Sequence, residues 1–523
     1  MLNTINNSYF NQLFKWDGGK VLLLDSFTMP IISMNYSQSQ LLNEDIILID
    51  LIDNYQSLDL MKNLNCIIYI KPTAQSIDLL CKEIATPHFH SYKVFFNNIV
   101  NKNQLEKIAE HDKFEVIHTI MEIFQDYLVV NDSLYQINNS IDLIDESKKI
   151  ISLLLSMKKF PIIKFNNLSI NCKKISSEIL YQINSNLNNN LFEVFNDVGD
   201  RTPQLIIFDR LNDALTPLLT PWTYQSMIHE LIGIEKSVIK VENDQFLIND
   251  EFFNQSKYLN YGDLNDLLIE KINILKKESP SLNTNNLVEL KKLITKLPEF
   301  KKNSNNLFKH ISIISELDNQ IKRQHLWELG ELQQIIACDL ESKASIDDKL
   351  MNVIQMPEIS MNHKIKLLLL YSVKHPDISK FLNHLDASLV QLKLLNNFHK
   401  QFKFKKAESQ PPNFKNFLKK FGNNENENVY LQYTPPLKEF LDHLVNAAPI
   451  NNPLNSLTTL VPESLVDSGA VQDVVIYFKG GVTYEEARVV EEFNKGHETV
   501  RVVIGGDRMV SSDQWLEELY NTV

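Results

Sequence analysis

Glycine is scarce in this chain, which has 13 glycines in 523 residues. No stretch has the P-loop spacing or the G-x-G-x-x-G dinucleotide fingerprint, in which glycine lets the backbone approach a phosphate. A G-x-S-x-G nucleophile turn is missing as well. These absences exclude the common glycine-dependent nucleotide and hydrolase motifs, and we expect the protein to use no cofactor.

Cysteine is also rare. The four cysteines lie far apart in the sequence: Cys66, Cys81, Cys172 and Cys338. Their separation gives neither zinc-ligand spacing nor a disulfide framework, so we expect a reduced, cytoplasmic compartment. His229-Glu230 begins an H-E-x-x-H zinc motif, but Gly233 stands where the second histidine is needed, and we expect no metal.

Long apolar runs and an excess of positive charge are missing too. No run of about 18 apolar residues could cross a bilayer, and the polar N-terminus is unlike a secretory signal. The 52 basic residues are outnumbered by 65 acidic ones, which gives a net charge of −13. This balance disfavours binding to nucleic acid or direct anchoring to acidic lipids, because both need clustered Lys and Arg. We expect the chain to reach membranes only through a bound partner.

The first part of the chain has the pattern of an α/β domain. Short apolar runs, typical of buried parallel strands, alternate with segments of helical spacing. The runs are Val21–Leu24, Ile46–Ile49, Cys66–Ile70 and Val94–Phe96. We predict an N-terminal parallel α/β domain over residues 1–131.

A second set of strand-like runs is divided between the middle and the end of the chain. It comprises Ile162–Phe165, Leu205–Phe208, Val474–Phe478 and Val500–Ile504. Because a sheet needs several strands, we predict one discontinuous α/β domain formed by residues 132–212 and 468–523. The span between them, residues 213–467, has mostly helical patterns and is too long for a loop. The predicted fold is therefore α/β with a large all-α insertion.

A helical hairpin is predicted within the insertion, over about residues 262–338. Apolar stripes lie on both sides of Pro298, and residues 304–338 lack proline, which predicts one helix of about 50 Å. The alternative is that these segments are ordinary core helices.

Two polar clusters follow predicted strands, where α/β enzymes often place catalytic groups. Asp209, Arg210 and Asp213 follow one strand, and Gly480, Gly481 and Thr483 follow another. We interpret the first cluster as an ion pair with a helix cap, and the second as a turn in which Thr483 and Glu486 form a capping box. The alternative is a nucleotide-dependent α/β enzyme that uses Asp209, Asp213 and the 480–483 turn. Trp222 and Tyr224 begin an amphipathic helix and are predicted to lie in the core.

The longest specific pattern covers residues 209–219, 222–227 and 229–234. It starts with Asp209-Arg210-Leu211-Asn212-Asp213 and includes Trp222-Thr223-Tyr224-Gln225. This pattern resembles the signature of the Sec/Munc (SM) family, the syntaxin-binding regulators of SNARE-driven membrane fusion. Residues 33–39, 95–127 and 480–487 agree, and the resemblance spans nearly the whole chain. The segments 33–39 and 501–506 are most similar to the vacuolar-protein-sorting branch.

The resemblance implies a three-domain arch that catalyses no reaction. Its expected partners are a Qa-SNARE and the assembled SNARE bundle, with tethering factors or Rab effectors as further candidates. A monomer is expected, peripheral on Golgi, trans-Golgi and endosomal membranes. Branches that act in exocytosis or between the endoplasmic reticulum and the Golgi remain alternatives.

The resemblance also implies two sites. An outer groove of the first domain would take the N-terminal peptide of the Qa-SNARE, and its residues would be Leu105, Ile108, Val116, Glu122 and Ile123. We predict that residues 114–124 are helical, with Val116 and Ile123 on a stripe beside Glu122; the alternative is that these apolar residues are all core. Pro298 would be the hinge of the hairpin that templates SNARE assembly.

Overall fold

The computed structural model describes residues 1–57, 61–137, 140–187, 202–242, 244–278, 301–401, 429–446, 457–462, 465 and 471–522. Within them, two large sheets and a helical region account for most of the ordered elements. Pro298 lies outside the described residues.

The first sheet has five parallel strands in the order β2-β1-β3-β4-β5. Its strands are β1 (Lys20–Leu24), β2 (Ile46–Leu51), β3 (Asn65–Ile70), β4 (Tyr92–Phe96) and β5 (Ile117–Glu122). The helices of this region are α1 (Leu2–Phe14), α2 (Met29–Asn35), α3 (Gln38–Asn43), α4 (Ala74–Ala85) and α5 (Lys102–His111). Separate apolar clusters cover the two faces of the sheet, which explains why its central strands are continuous apolar runs.

The four strands predicted in this region are confirmed, but the helix predicted over residues 114–124 is wrong. Residues 117–122 form the edge strand β5, which pairs in parallel with β4. The apolar residues Ile117, Ile120 and Met121 imitate helical spacing. A register irregularity opposite Tyr92 and Lys93 shifts the alternation by one residue, which hides the strand pattern in the sequence.

The second sheet has seven strands in the order β12-β8-β9-β13-β14-β7-β6. These strands are β6 (Leu128–Val129), β7 (Leu134–Gln136), β8 (Ile162–Asn166), β9 (Gln204–Asp209), β12 (Leu457–Leu460), β13 (Asp473–Lys479) and β14 (Arg501–Gly506). Parallel pairing of β9 with β13 confirms that the late strands join the earlier ones in one sheet. The predicted boundary at residue 131 falls between the paired strands β6 and β7; the other domain limits stay predictions.

Helices flank this sheet on both faces. On one face lie α6 (Leu143–Ser156) and α7 (Ile170–Leu187), and on the other lies α18 (Tyr484–Gly496). The last helix, α19 (Ser512–Thr522), packs into the apolar core of the helical region instead. Apolar residues of β9, β13 and β14 alternate between two buried clusters, so the sheet is covered on both sides. The fold class is thus the predicted one, α/β with an inserted helical region.

The inserted region is mainly helical, with one antiparallel hairpin of β10 (Val238–Val241) and β11 (Asp244–Leu247). Its first helices are α8 (Tyr224–Leu231), α9 (Glu251–Ser256), α10 (Tyr261–Glu278), α11 (Lys301–Arg323) and α12 (Leu326–Cys338). The others are α13 (Lys343–Gln355), α14 (Met361–Lys374), α15 (Ser379–Leu382), α16 (Leu389–Gln401) and α17 (Pro436–Asn446).

The single helix predicted over residues 304–338 is wrong. The helix ends at Arg323, His325 has a left-handed φ of 55°, and a new helix starts at Leu326. This turn brings Trp327 into stacking contact with Trp222, with 4.6 Å between the ring centroids. Leu307 and Ile321 are buried in the main helical core, so this part of α11 packs in the body of the protein.

Candidate functional site

The predicted peptide groove is framed by α5 and the edge strand β5. Asn101 begins α5 through a capping box with Gln104, which fixes the start of the helix. The carboxylate of Glu122, at the end of β5, accepts a hydrogen bond of 2.7 Å from the backbone N–H of Val100. This bond ties the last residue of the strand to the loop that leads into the helix. Burial raises the pKa of Glu122, and the Val100 N–H opposes that shift.

Strand register decides which side chains face α5. Ile120 is opposite Val94 and Glu122 is opposite Phe96, and both partners belong to the apolar cluster that also contains Ile108 of α5. Side chains of paired residues point to the same face of a sheet. Ile120 and Glu122 therefore lie on the α5 side of the sheet, and Ile120 is 37% exposed.

The structure brings together some of the predicted groove residues and separates others. Leu105 and Val116 are half-buried, and Val116 packs against the same cluster as Ile108. Ile108 is fully buried and can only form the floor. Ile123 is also buried, but in the cluster on the opposite face of the sheet, so it does not reach this surface.

Sequence reasoning did not place Ile120 among the groove residues. No signal in the sequence identified it, because the register irregularity of β5 hides the alternation that marks an edge strand with one solvated face. The surface that we define as the α5–β5 groove consists of Leu105, Val116, Ile120 and Glu122, with Ile108 beneath them.

The signature residues after β9 form a buried ion-pair cluster. Arg210 is completely buried; its guanidinium reaches both oxygens of Glu486 at 2.7 and 2.8 Å and the carboxylate of Asp213 at 3.0 Å. It also lies over the ring of Phe478 at 4.6 Å. The ion pair predicted for this segment is confirmed between Arg210 and Asp213. The contact of Arg210 with Glu486 also joins the turn after β9 to the helix after β13.

The turn after β13 is held by the same cluster. Thr483 and Glu486 form the predicted capping box at the start of α18. Gly480 has a φ of +96°, and a Cβ atom there would lie 2.9 Å from Cβ of Arg210. Its N–H donates to the carboxylate of Asp507 at 3.1 Å. Gly481 also has a left-handed φ, of +101°.

The groups that a nucleotide-dependent enzyme would use are thus already bonded within the protein. Asp209 accepts hydrogen bonds from the backbone N–H of Leu211 and the hydroxyl of Ser169. Asp213 is paired with Arg210, and an aspartate occupies the anion position at Gly480. In the part of the chain that the structure describes, no three His, Cys, Asp or Glu side chains are arranged to hold a metal ion.

Trp222 and Tyr224 are buried, as predicted. Trp222 packs on Trp327, and a Cβ atom on Gly330 would lie 2.6 Å from its ring. The Tyr224 hydroxyl is 2.8 Å from Nδ1 of His310. These residues fix the helical region, and they offer no surface to a partner.

The remaining predicted site residue, Pro298, cannot be placed because residues 279–300 are outside the described part, so its hinge role stays a prediction. Among the described helices, none is both long and apolar enough to cross a bilayer.

Comparison with known proteins identifies the family. Residues 20–518 match the model of the Sec1 family. The vacuolar protein sorting-associated protein 45 of Saccharomyces cerevisiae is 32% identical over 546 residues, which cover 96% of this chain and 94% of that protein. The human protein of the same name is 30% identical and covers 96% of this chain and 92% of its own length.

Solved structures agree with the sequence matches. The SM protein Vps45 in complex with the Qa SNARE Tlg2 superimposes with a TM-score of 0.83 and 30% identity, covering 99% of this chain and 97% of that one. The Unc18–syntaxin 1 complex of Monosiga brevicollis has a TM-score of 0.81 at 15% identity, with 99% of each chain covered, and supports the fold alone. On these matches and on the signature residues that the structure places around Arg210, this chain is a member of the Sec1, or Sec/Munc, family.

Proposed function

We propose that this protein binds a Qa-SNARE and regulates SNARE-complex assembly in transport between the Golgi, the trans-Golgi network and the endosome or vacuole. The observation that carries the proposal is the end-to-end similarity to an SM protein solved with a Qa-SNARE, at 30% identity over 99% of the chain. Similarity over the whole length preserves all three parts of the fold, and binding over a wide surface needs them together. The chain would act at these membranes through its SNARE partner and would catalyse no covalent step.

The α5–β5 groove supplies a contact of the right kind for the Qa-SNARE N-terminal peptide. Leu105 and Ile120 offer apolar surface to solvent, and Glu122 adds a carboxylate at its edge. Such a combination favours a short peptide with one bulky apolar residue and one basic residue. Because β5 is an edge strand, its backbone could also pair with an extended peptide.

The groove is tested by titrating the cognate Qa-SNARE N-terminal peptide into the full chain and measuring the heat of binding. Leu105→Arg and Ile120→Arg should each abolish measurable binding, because a charge would replace the apolar contact. Leu42→Arg is the matched control: Leu42 is 61% exposed on α3, beside the opposite edge strand β2. Unchanged peptide affinity in both groove variants, with the folded state intact by circular dichroism, would reject the groove.

The hairpin is proposed to template SNARE assembly, with Pro298 as its hinge. Proline removes a backbone donor and disfavours a straight helix, so Pro298→Ala should favour an extended hairpin and accelerate SNARE assembly. Liposome fusion with purified SNAREs measures this rate. An unchanged rate would count against the hinge, and would leave the groove proposal to its own test.

The nucleotide-enzyme alternative is separated by a thermal shift with ATP, GTP or NAD. A ligand at 100 times its dissociation constant stabilises a protein by about 2.7 kcal/mol. We expect no shift, because the candidate groups are engaged in internal bonds. A clear shift with any of the three would reopen that alternative.

A further inference from the structure

The helix α7 of the second sheet presents a second apolar surface, on a different domain from the α5–β5 groove. Three side chains on and beside this helix are exposed far more than is usual for their size: Leu168 by 82%, Ile170 by 72% and Tyr181 by 67%. Leu211, in the turn after β9, is 40% exposed. Large apolar residues scattered singly on a surface need no explanation, but a group of them marks an interaction site.

Hydrogen bonds bring three of these residues together. Ser169 caps α7 by accepting from the N–H of Cys172 and donates its own hydroxyl to Asp209. The side-chain amide of Asn166 donates to Asn212. The turn that carries Leu168 and Ile170 is therefore bonded on two sides to the turn that carries Leu211. Both turns follow adjacent parallel strands, β8 and β9, so they lie side by side at the carboxyl end of the sheet.

The surface continues along the helix. Residues 170, 174, 177 and 181 are spaced by four, three and four positions, which places them on one face of an α-helix. The opposite face carries Ile175, Ile179 and Ile183, which are fully buried in the core. The exposed face from Ile170 to Tyr181 spans 12 residues, and the 11 steps between the two ends measure about 16 Å at 1.5 Å per residue. This is the length of about three helical turns.

The charge of this face indicates what would cover it. Lys173 and Lys174 are exposed on α7, and neither has an ion-pair partner within the described ranges. The one acidic residue of the helix, Glu178, accepts a hydrogen bond from Gln182, and Asp209 is held by Ser169. This face has apolar residues at its two ends, Ile170 and Tyr181, with Lys174 and Ser177 between them, and its lysines contrast with the chain's net charge of −13. It would attract an acidic segment and repel a basic one.

We propose that this surface, formed by Leu168, Ile170, Lys173, Lys174, Tyr181 and Leu211, docks an acidic amphipathic helix of a partner protein. The apolar face of that helix covers Ile170, Tyr181 and Leu211, and its Asp or Glu residues pair with the two lysines. Helices of this kind recognise surfaces through apolar anchors one turn apart. The proposal does not depend on Qa-SNARE binding, because it uses a different domain.

The test uses two synthetic amphipathic helices of about five turns with the same apolar face, one flanked by Glu and the other by Lys. Each is labelled and titrated with the full chain, and fluorescence anisotropy gives the affinity. The acidic peptide should bind. Ile170→Ser combined with Tyr181→Ser should weaken it by about tenfold or more, as expected for anchor residues. Ile269→Ser, at a residue 55% exposed on α10, is the matched control and should change nothing.

Charge reversal separates this proposal from general stickiness. Lys173→Glu with Lys174→Glu should weaken the acidic peptide and improve binding of the basic one. Equal binding of the two peptides to the unaltered chain, or acidic-peptide affinity unchanged by the serine variants, would overturn the proposal. So would self-association of the chain that the serine variants abolish, or binding to phosphatidylserine vesicles without any binding of the acidic peptide. Thermal melts of the variants verify that the surface changes leave the fold intact.

Discussion

Arg210→Met would leave the carboxylates of Asp213 and Glu486 without the cation that they share. Both acidic side chains are at most 1% exposed, and both contact the guanidinium within 3.0 Å. Methionine keeps much of the side-chain volume, so the substitution tests the charge more than the packing. The cluster connects the turn after β9 to the start of α18, which makes it a junction between adjacent strands of the second sheet.

The magnitude follows from burial. Removing one partner of a buried pair leaves an uncompensated charge and costs about 3–5 kcal/mol. For a cooperative unit of about 150–250 residues, each kcal/mol lowers the midpoint of thermal unfolding by about 2–4 °C, which gives a fall of roughly 6–20 °C. The loss should be larger than for a surface arginine, whose exposed pairs contribute about 0–1 kcal/mol.

The assay is thermal unfolding followed by tryptophan fluorescence. Trp515 reports on this region, because its indole N–H donates to the backbone oxygen of Ala214, next to Asp213. Glu486→Gln in the Arg210→Met background should recover part of the stability, since glutamine can still close the capping box with Thr483 while one buried charge is removed. A midpoint within about 2 °C of the unaltered protein in the single variant would refute the reasoning.

The pH dependence of stability provides a second test of the same cluster. Burial raises the pKa of Glu486 in spite of Arg210. A carboxyl that holds its proton more tightly when folded loses stability as the pH rises from about 4.3, its unfolded pKa, through the raised value. Without Arg210 the shift should grow, so the cost of Arg210→Met should be smaller at about pH 5 than at about pH 8. An equal cost at both values would contradict this account.

Three further predictions concern the turn, the aromatic core and a buried histidine. Gly480→Ala combines a φ of +96° with a Cβ only 2.9 Å from Arg210, so it should lower the free energy of unfolding in urea by about 1–3 kcal/mol. Gly496→Ala is the control and should be nearly neutral, because no atom lies within 4 Å of its Cβ. Gly330→Ala places a Cβ 2.6 Å from the Trp222 ring, and should destabilise by about 1–3 kcal/mol and change the tryptophan emission; an unaltered spectrum would contradict the packing. Burial lowers the pKa of His229 to about 4, below its unfolded value of about 6.5. The unfolded state therefore takes up the proton first as the pH falls, and the free energy of unfolding should drop by about 2 kcal/mol from about pH 7 to pH 5. His229→Phe should lose that part of the pH slope, and an identical slope in both proteins would show that the imidazole titrates normally.

Much of the fold could be predicted because buried parallel strands leave a clear pattern. Every strand predicted as a continuous apolar run is present, for example Cys66–Ile70 within β3 and Leu205–Phe208 within β9. The discontinuity of the second domain was also predictable, since two late strands without neighbours need an earlier sheet to complete them. The spacing of Thr483 and Glu486 was enough to predict the capping box that they form.

The failures have local physical causes. β5 is an edge strand with a register irregularity, so one of its faces is partly exposed and its apolar residues fall by chance at helical positions. The break at His325 carries no proline or glycine and exists because Trp327 packs on Trp222, a contact distant in sequence. Ile120 and Ile123 could be assigned to opposite faces only once the pairing of β5 with β4 was known.

The residues that reveal the family are different from the residues that meet partners. Arg210, Glu486 and Trp222 are buried, and each makes specific contacts inside the protein, so their pattern reports that the fold has been kept. A partner cannot touch such residues, so they carry no information about which partner is bound. Specificity must instead come from exposed side chains such as Ile120 and Ile170, whose exposure no fold requirement explains. Exchanging the buried set should therefore change stability with little change in which peptide is bound, whereas exchanging the exposed set should change the bound peptide with little change in stability.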